Sequence, residues 1–185
     1  MEFQFDIKKT MASIAFLAER GGGQVDMFLS LKTLYVADKK ALTQWGKTIT
    51  GDSFRALKNG PVLWMVYKLF KGTAPVKFQR VWNAHFTERM NHSIHLRSKV
   101  PVDVLSLREM DALSDAQAEI NEMAPWDVAD WLHQTCPEWK DPGDHSLPIS
   151  PVEILANAGR SVEQIRRLSE SEHDFQQAKH LLGVG

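Results

Sequence analysis

The chain has 185 residues, 43% of them hydrophobic and 24% charged, the make-up of an ordinary globular protein. A net charge of −1 argues against a dedicated nucleic-acid domain, which usually carries a large positive excess. A single cysteine, Cys136, excludes an internal disulfide and a cysteine-based zinc cluster, and no apolar run reaches the roughly 18 residues of a membrane span.

Met1 to Lys9 shows no basic stretch followed by an apolar one, so no signal peptide is expected. Together with the lone cysteine this points to a cytoplasmic location. The charge is unevenly spread. Between Ser53 and Val102 stand Arg55, Lys58, Lys68, Lys71, Lys77, Arg80, Arg89, Arg97 and Lys99 against one acid, Glu88. Asp103 to Asp144 is strongly acidic, with Arg108 and Lys140 as its bases. The plainer expectation is that the two segments attract each other within one fold. The sharper one is a basic face for an acidic partner or nucleic acid.

In chain order, Ile7, Met11, Ile14 and Ala18 mark one face of a first helix, stopped by Gly21-Gly22-Gly23. Asp26 is placed to cap a second helix, with Met27, Phe28, Leu31, Leu34, Tyr35 and Leu42 facing inward and Asp38, Lys39, Lys40 and Gln44 on or near the other side. Gly46 suits its left-handed end. Gly51-Asp52 reads as a turn and Phe54 to Leu57 as a short strand with Arg55 and Lys58 outward. Pro61 is expected at the first position of a third helix that closes at Gly72. Phe78, Val81, Trp82, Phe86 and Met90 have helical spacing, and Ser93 to Val100 alternates like a strand that could pair with Phe54–Leu57.

Ser106 with Glu109 forms a capping-box pattern before Leu107, Met110, Leu113, Gln117, Ile120 and Met123. Pro125 opens a short helix with Trp126, Val128, Ala129 and Leu132 inward, and Pro137 to Pro148 reads as loop. Ser150 with Glu153 and Ser161 with Gln164 repeat the box pattern. The final helix carries only a thin seam of Leu168, Phe175 and Leu182, as a surface helix or a partner-binding extension would. The fold class expected is mainly α with a small antiparallel β element, a compact α+β domain over residues 1–160 with a helical extension over 161–185.

Few residues carry a chemical signal. His85, His92 and His95 lie close in sequence but lack the carboxylate and spacing of a zinc site. Cys136 with His133 lacks a third, orienting group. Gly21-Gly22-Gly23 lacks the lysine-serine sequel of a phosphate loop. Asp111 with Asp115, and Asp127 with Asp130, read as solvent-facing charges. No catalytic residue, metal site or cofactor is therefore expected. Trp64 is more suggestive. It stands out of phase with Val62, Met65 and Val66, in the neighbourhood of Lys68 and Lys71, and aromatic and cationic side chains dominate protein interfaces.

The run LKTLYVADKKALTQWGKTITGDSFRALKNGPV resembles the signature of the Panacea domain, the SocA-like antitoxin family. Its K-L-L-Y-x-A-D helix is matched by Lys32 to Asp38, its G-x-x-I-T-G-D segment by Gly46 to Asp52, and its A-x-x-x-G-P-V by Ala56 to Val62. Leu105–Leu113 is similar to the family's L-S-x-x-E helix start, and Trp126–Trp139 to a later tryptophan-rich segment, although Cys136 follows Thr135 where histidine is common. The likeness runs from about Ile7 to Ala158. It implies an antitoxin, not an enzyme, whose partner is a cognate protein toxin held by direct contact. A homo-oligomer is a second option, and neither nucleic acid nor membrane is the expected partner. The candidate partner-binding residues are Arg55, Lys58, Trp64, Lys68 and Lys71, outward residues around the Leu31–Gly72 scaffold. A nucleic-acid regulator or a protease adaptor using residues 53–102 is the alternative.

Overall fold

In this computed structural model, which describes residues 1–87 and 90–182, the second helix is the hub. Helix α1 spans Ile7–Arg20, strand β1 Gln24–Asp26 and helix α2 Met27–Trp45. Leu31 to Asp38 are all buried, so α2 is enclosed on every side rather than along one stripe. The Asp26 carboxylate accepts from Leu29 N at its start, and Gly46 ends it at φ 78°.

After α2 come β2 (Phe54–Leu57), β3 (Gly60–Leu63), α3 (Trp64–Lys71), α4 (Val76–His85) and β4 (Ser93–His95). Then follow α5 (Leu107–Asn121), α6 (Asp127–Thr135), β5 (Leu147–Ile149), α7 (Pro151–Asn157) and α8 (Val162–Leu181). The architecture is α+β, as expected: a helical body with two small antiparallel sheets. One sheet has the order β3-β2-β5, the other pairs β1 with β4. Lys58-Asn59 is a two-residue hairpin turn, and Phe54 pairs with Leu63 on one side and Ile149 on the other.

Several expectations need correction. Pro61 does not start a helix. It lies in β3 opposite Ala56, on an edge strand where a missing N–H costs no ladder bond, and Pro148 blunts the opposite edge in β5. The helix begins three residues later because Asp52, remote in sequence, accepts from Met65 N (3.0 Å) and Val66 N (2.9 Å). The alternating segment after Asn91 is a strand only at Ser93–His95 and pairs with β1, through Val25 opposite Ile94, not with β2. The place beside β2 is taken by β5, from a segment read as loop. Phe86 and Met90 fall outside α4 and make isolated bridges to Leu96 and Ser93. Trp126 is 77% exposed, and Asp38 is buried. Ser150 caps α7 through Val152 N, whereas Ser106–Glu109 and Ser161–Gln164 form full capping boxes.

α8 lies against this body. Leu168 packs under Gly46, Lys47 sits 3.8 Å over the Phe175 ring, and Arg160 donates to Thr43 O at 2.7 Å. No helix among the described residues is long and apolar enough to cross a membrane.

Candidate functional site

The signature residues hold backbone. Asp38 Oδ1 accepts from Ile49 N (2.8 Å) and Thr50 N (3.2 Å), while the Thr50 hydroxyl donates to Oδ2. These bonds pin the chain after α2 so that Asp52 can reach the start of α3. Burial raises the Asp38 carboxyl to about 7 and that of Asp52 to about 6, against the opposing pull of those hydrogen bonds. Lys32 Nζ donates to Pro61 O at 3.1 Å, tying α2 to β3. Gly60 takes φ +92°, and a Cβ there would stand 3.2 Å from that ammonium.

A second buried group joins α2 to the segment after α6. Tyr35 Oη donates to Glu138 Oε1, and Lys39 Nζ lies 2.7 Å from the same oxygen and 3.4 Å from Cys136 Sγ. Burial alone would raise Glu138, but the Lys39 and Tyr35 bonds win and hold it below the ordinary value. Burial raises the Cys136 thiol and the Tyr35 phenol. His133 stacks on Trp139 at 3.7 Å. These groups are engaged in holding the fold.

The five residues singled out from sequence fall into two places. Arg55, Trp64 and Lys68 come together: the Arg55 guanidinium lies 4.9 Å from the Trp64 ring and Lys68 Nζ 5.8 Å from it. Trp64 stacks on Tyr67 at 5.5 Å, with the rings 10° apart, and Lys71 Nζ stands 5.7 Å over Tyr67. This is a ladder of cations and rings along α3 and β2, with two stacked rings at its centre. Trp64 is half-buried in it rather than free. Arg55 is fixed further by a bond from Nη2 to Ser146 O, 3.0 Å. Lys58 stands apart in the hairpin turn, exposed and 3.8 Å from Asp144. Tyr67, which bridges Trp64 and Lys71, was missed because an aromatic on a short amphipathic helix reads as core.

The electrostatics of this face differ from the plainer expectation. The acidic segment spends its ion pairs on α1 and α2, as Lys9–Glu109, Lys39–Glu138 and Lys40–Glu119. Among the described residues only Lys58–Asp144 joins it to the basic segment. Among the described residues Arg55, Lys68 and Lys71 make no ion pair: Lys71 is exposed, Arg55 and Lys68 are half-buried, and Lys68 lies close enough to Asp52 to draw its carboxyl down. Of the basic segment's residues, Arg89, with its neighbour Glu88, lies outside the described residues. His85 Nδ1 is 2.8 Å from Ser98 Oγ, and among the described residues no three metal-ligating side chains are gathered.

With this geometry in place, the antitoxin SocA-like, Panacea domain description matches residues 31–140. The chain belongs to that family. The match takes in α2 from Leu31 on, the β2–β3 hairpin, α3 and the Tyr35–Lys39–Glu138 group, so the Panacea region here includes a set of backbone anchors. The cation–ring ladder lies within the Panacea region, and α8 lies beyond it. No curated protein and no solved structure matches the chain.

Proposed function

We propose that this protein is an antitoxin that neutralises a cognate protein toxin by direct contact, and not an enzyme. The observation that carries this reading is the family match over a region whose buried carboxylates are occupied with backbone and lysine partners, while its cations and rings gather into one part-exposed ladder. Aromatic and guanidinium side chains held in place by neighbours lose little freedom on binding, which is what an interface anchor needs. The face formed by Arg55, Trp64, Tyr67, Lys68 and Lys71, with Lys58 at its margin, suits an acidic surface on the partner. The protein works in the cytoplasm.

The test is co-expression with the neighbouring gene. That gene alone should arrest growth, and this protein should restore it. A harmless neighbour, or failure to rescue, refutes the antitoxin reading. Trp64→Ala with Lys68→Glu, in a protein that keeps its melting temperature, should abolish rescue. Full rescue by that pair would move the toxin site elsewhere. A nucleic-acid partner is tested by the salt slope of DNA binding, since neutralising phosphates releases counterions. No binding at low salt is the outcome expected here.

A further inference from the structure

Lys32 is the only buried lysine or arginine among the described residues, at 2% exposure. An ammonium can donate three hydrogen bonds. Lys32 Nζ makes one, to Pro61 O, and lies 5.4 Å over the Phe28 ring. No carboxylate of the described residues stands within ion-pair distance of it. Burial brings its ammonium down to about 7, against a smaller opposing pull from the Cys136 thiol.

Lys32 is also part of the wall of a cleft of about 480 Å³. Phe28, Leu31, Leu57, Val62 and Tyr67 supply apolar surface there. Lys58, Lys71 and His92 stand around it, and the one acid in its lining, Asp144, is the one beside Lys58. A chamber of this size falls in the range of small-molecule sites, which are mostly apolar with a few placed polar groups. A single acidic side chain from a partner protein would fill only a fraction of it.

We propose that this cleft binds a small organic carboxylate with an apolar body, its anionic end on Lys32 Nζ and its chain or ring against Phe28 and Tyr67. Lys32 is the one buried ammonium of the wall, Lys58 and Lys71 being exposed at the rim, and a single buried charge suits a monoanion rather than a phosphate, which asks for several donors at once. The site stands independently of the toxin reading. It does share Tyr67 and Lys71 with the cation–ring ladder, so an occupant would lie beside the residues proposed to meet the partner.

The test uses the full chain with octanoate and 3-phenylpropionate, each compared with the alcohol of the same carbon skeleton. Titration calorimetry measures affinity, and ¹³C-methyl methionine spectra report on Met27, which lines the cleft. The acids should bind at least about tenfold tighter than the alcohols, the value of a charged hydrogen bond, and should shift the Met27 methyl but not that of Met110. Lys32→Met should erase the preference for the acid. If that variant does not fold, the acid–alcohol comparison and the Met27 shift in the wild type decide alone. Equal binding of acid and alcohol, no Met27 shift at millimolar acid, or an intact preference in Lys32→Met would each overturn the proposal. So would loss of toxin neutralisation by Lys32→Met in a wild type that binds no acid, which would give the cleft to the partner protein.

Discussion

Replacing Asp38 by asparagine should change how stability depends on pH. The carboxyl is enclosed, and burial lifts it from an ordinary 3.8 to about 7 in the folded protein. Its folded value lies above its unfolded one, so the folded state binds more protons between those two values. Stability is then fully present below about pH 4 and is lost as pH rises towards 7. Between about pH 5 and pH 8 the folded carboxyl passes from protonated to charged, and at 1.36 kcal/mol per unit this costs about 3 kcal/mol. Asp38→Asn removes that loss while keeping an oxygen for Ile49 N and Thr50 N. The amide can donate to Thr50 Oγ1, at a cost of about 1 kcal/mol for the hydroxyl's rearranged bonding. Urea unfolding of both proteins at several pH values tests this, because groups not coupled to Asp38 largely cancel in the difference, and Asp52, whose charge raises Asp38, adds a smaller change of the same sign. The stability of Asp38→Asn relative to wild type should rise by about 3 kcal/mol across that range. A flat difference would refute the reasoning, showing that the hydrogen bonds fully offset burial.

Other anchors give sharper losses. Asp52→Ala should cost about 1–2 kcal/mol in urea unfolding, since α3 has no other side-chain cap. Lys39→Met should cost about 3–5 kcal/mol, because Glu138 would remain buried with its cation gone. Gly51→Ala should destabilise more than Gly46→Ala, although both glycines have positive φ. A methyl at Gly51 would meet the Gln4 backbone carbonyl, which cannot turn away, whereas at Gly46 it meets the movable tip of Leu168. Gly46→Ala should also loosen α8, read as faster proteolysis within Val162–Leu181 with the rest of the chain intact.

What could be read from sequence was the part governed by neighbours along the chain. The Asp26 cap, the Ser106–Glu109 and Ser161–Gln164 boxes and the Gly46 stop each need only three or four residues to declare themselves. Strand partners were hidden because pairing is set across long separations. Val25 finds Ile94, and Phe54 finds Ile149, which no local pattern encodes. Pro61 misled because a proline after a glycine serves a helix start and an edge strand equally well, and the choice was made by Asp52 elsewhere. Asp38 was misread for another reason. On a helix enclosed on all sides, a charge no longer marks the solvent face. Of the candidate site, Arg55, Trp64 and Lys68 are neighbours across a hairpin and a helix, and Lys58 lies off their ladder, at the cleft it shares with Tyr67 and Lys71.

The order β3-β2-β5 also sets a clock on the ribosome. Arg55 and the Ser146 carbonyl it holds are 91 residues apart. At a synthesis rate of roughly 5–20 residues per second, about 5–18 s separate the appearance of the two. During that interval β2 has its hairpin partner but an open outer edge, and α2 lacks the helix and the Glu138 carboxylate that enclose it. The sheet and the enclosure of α2 are thus completed only once the chain has been made as far as β5. A nascent chain stopped before Ser146 would leave the outer edge of β2 open to pairing with strands of other chains.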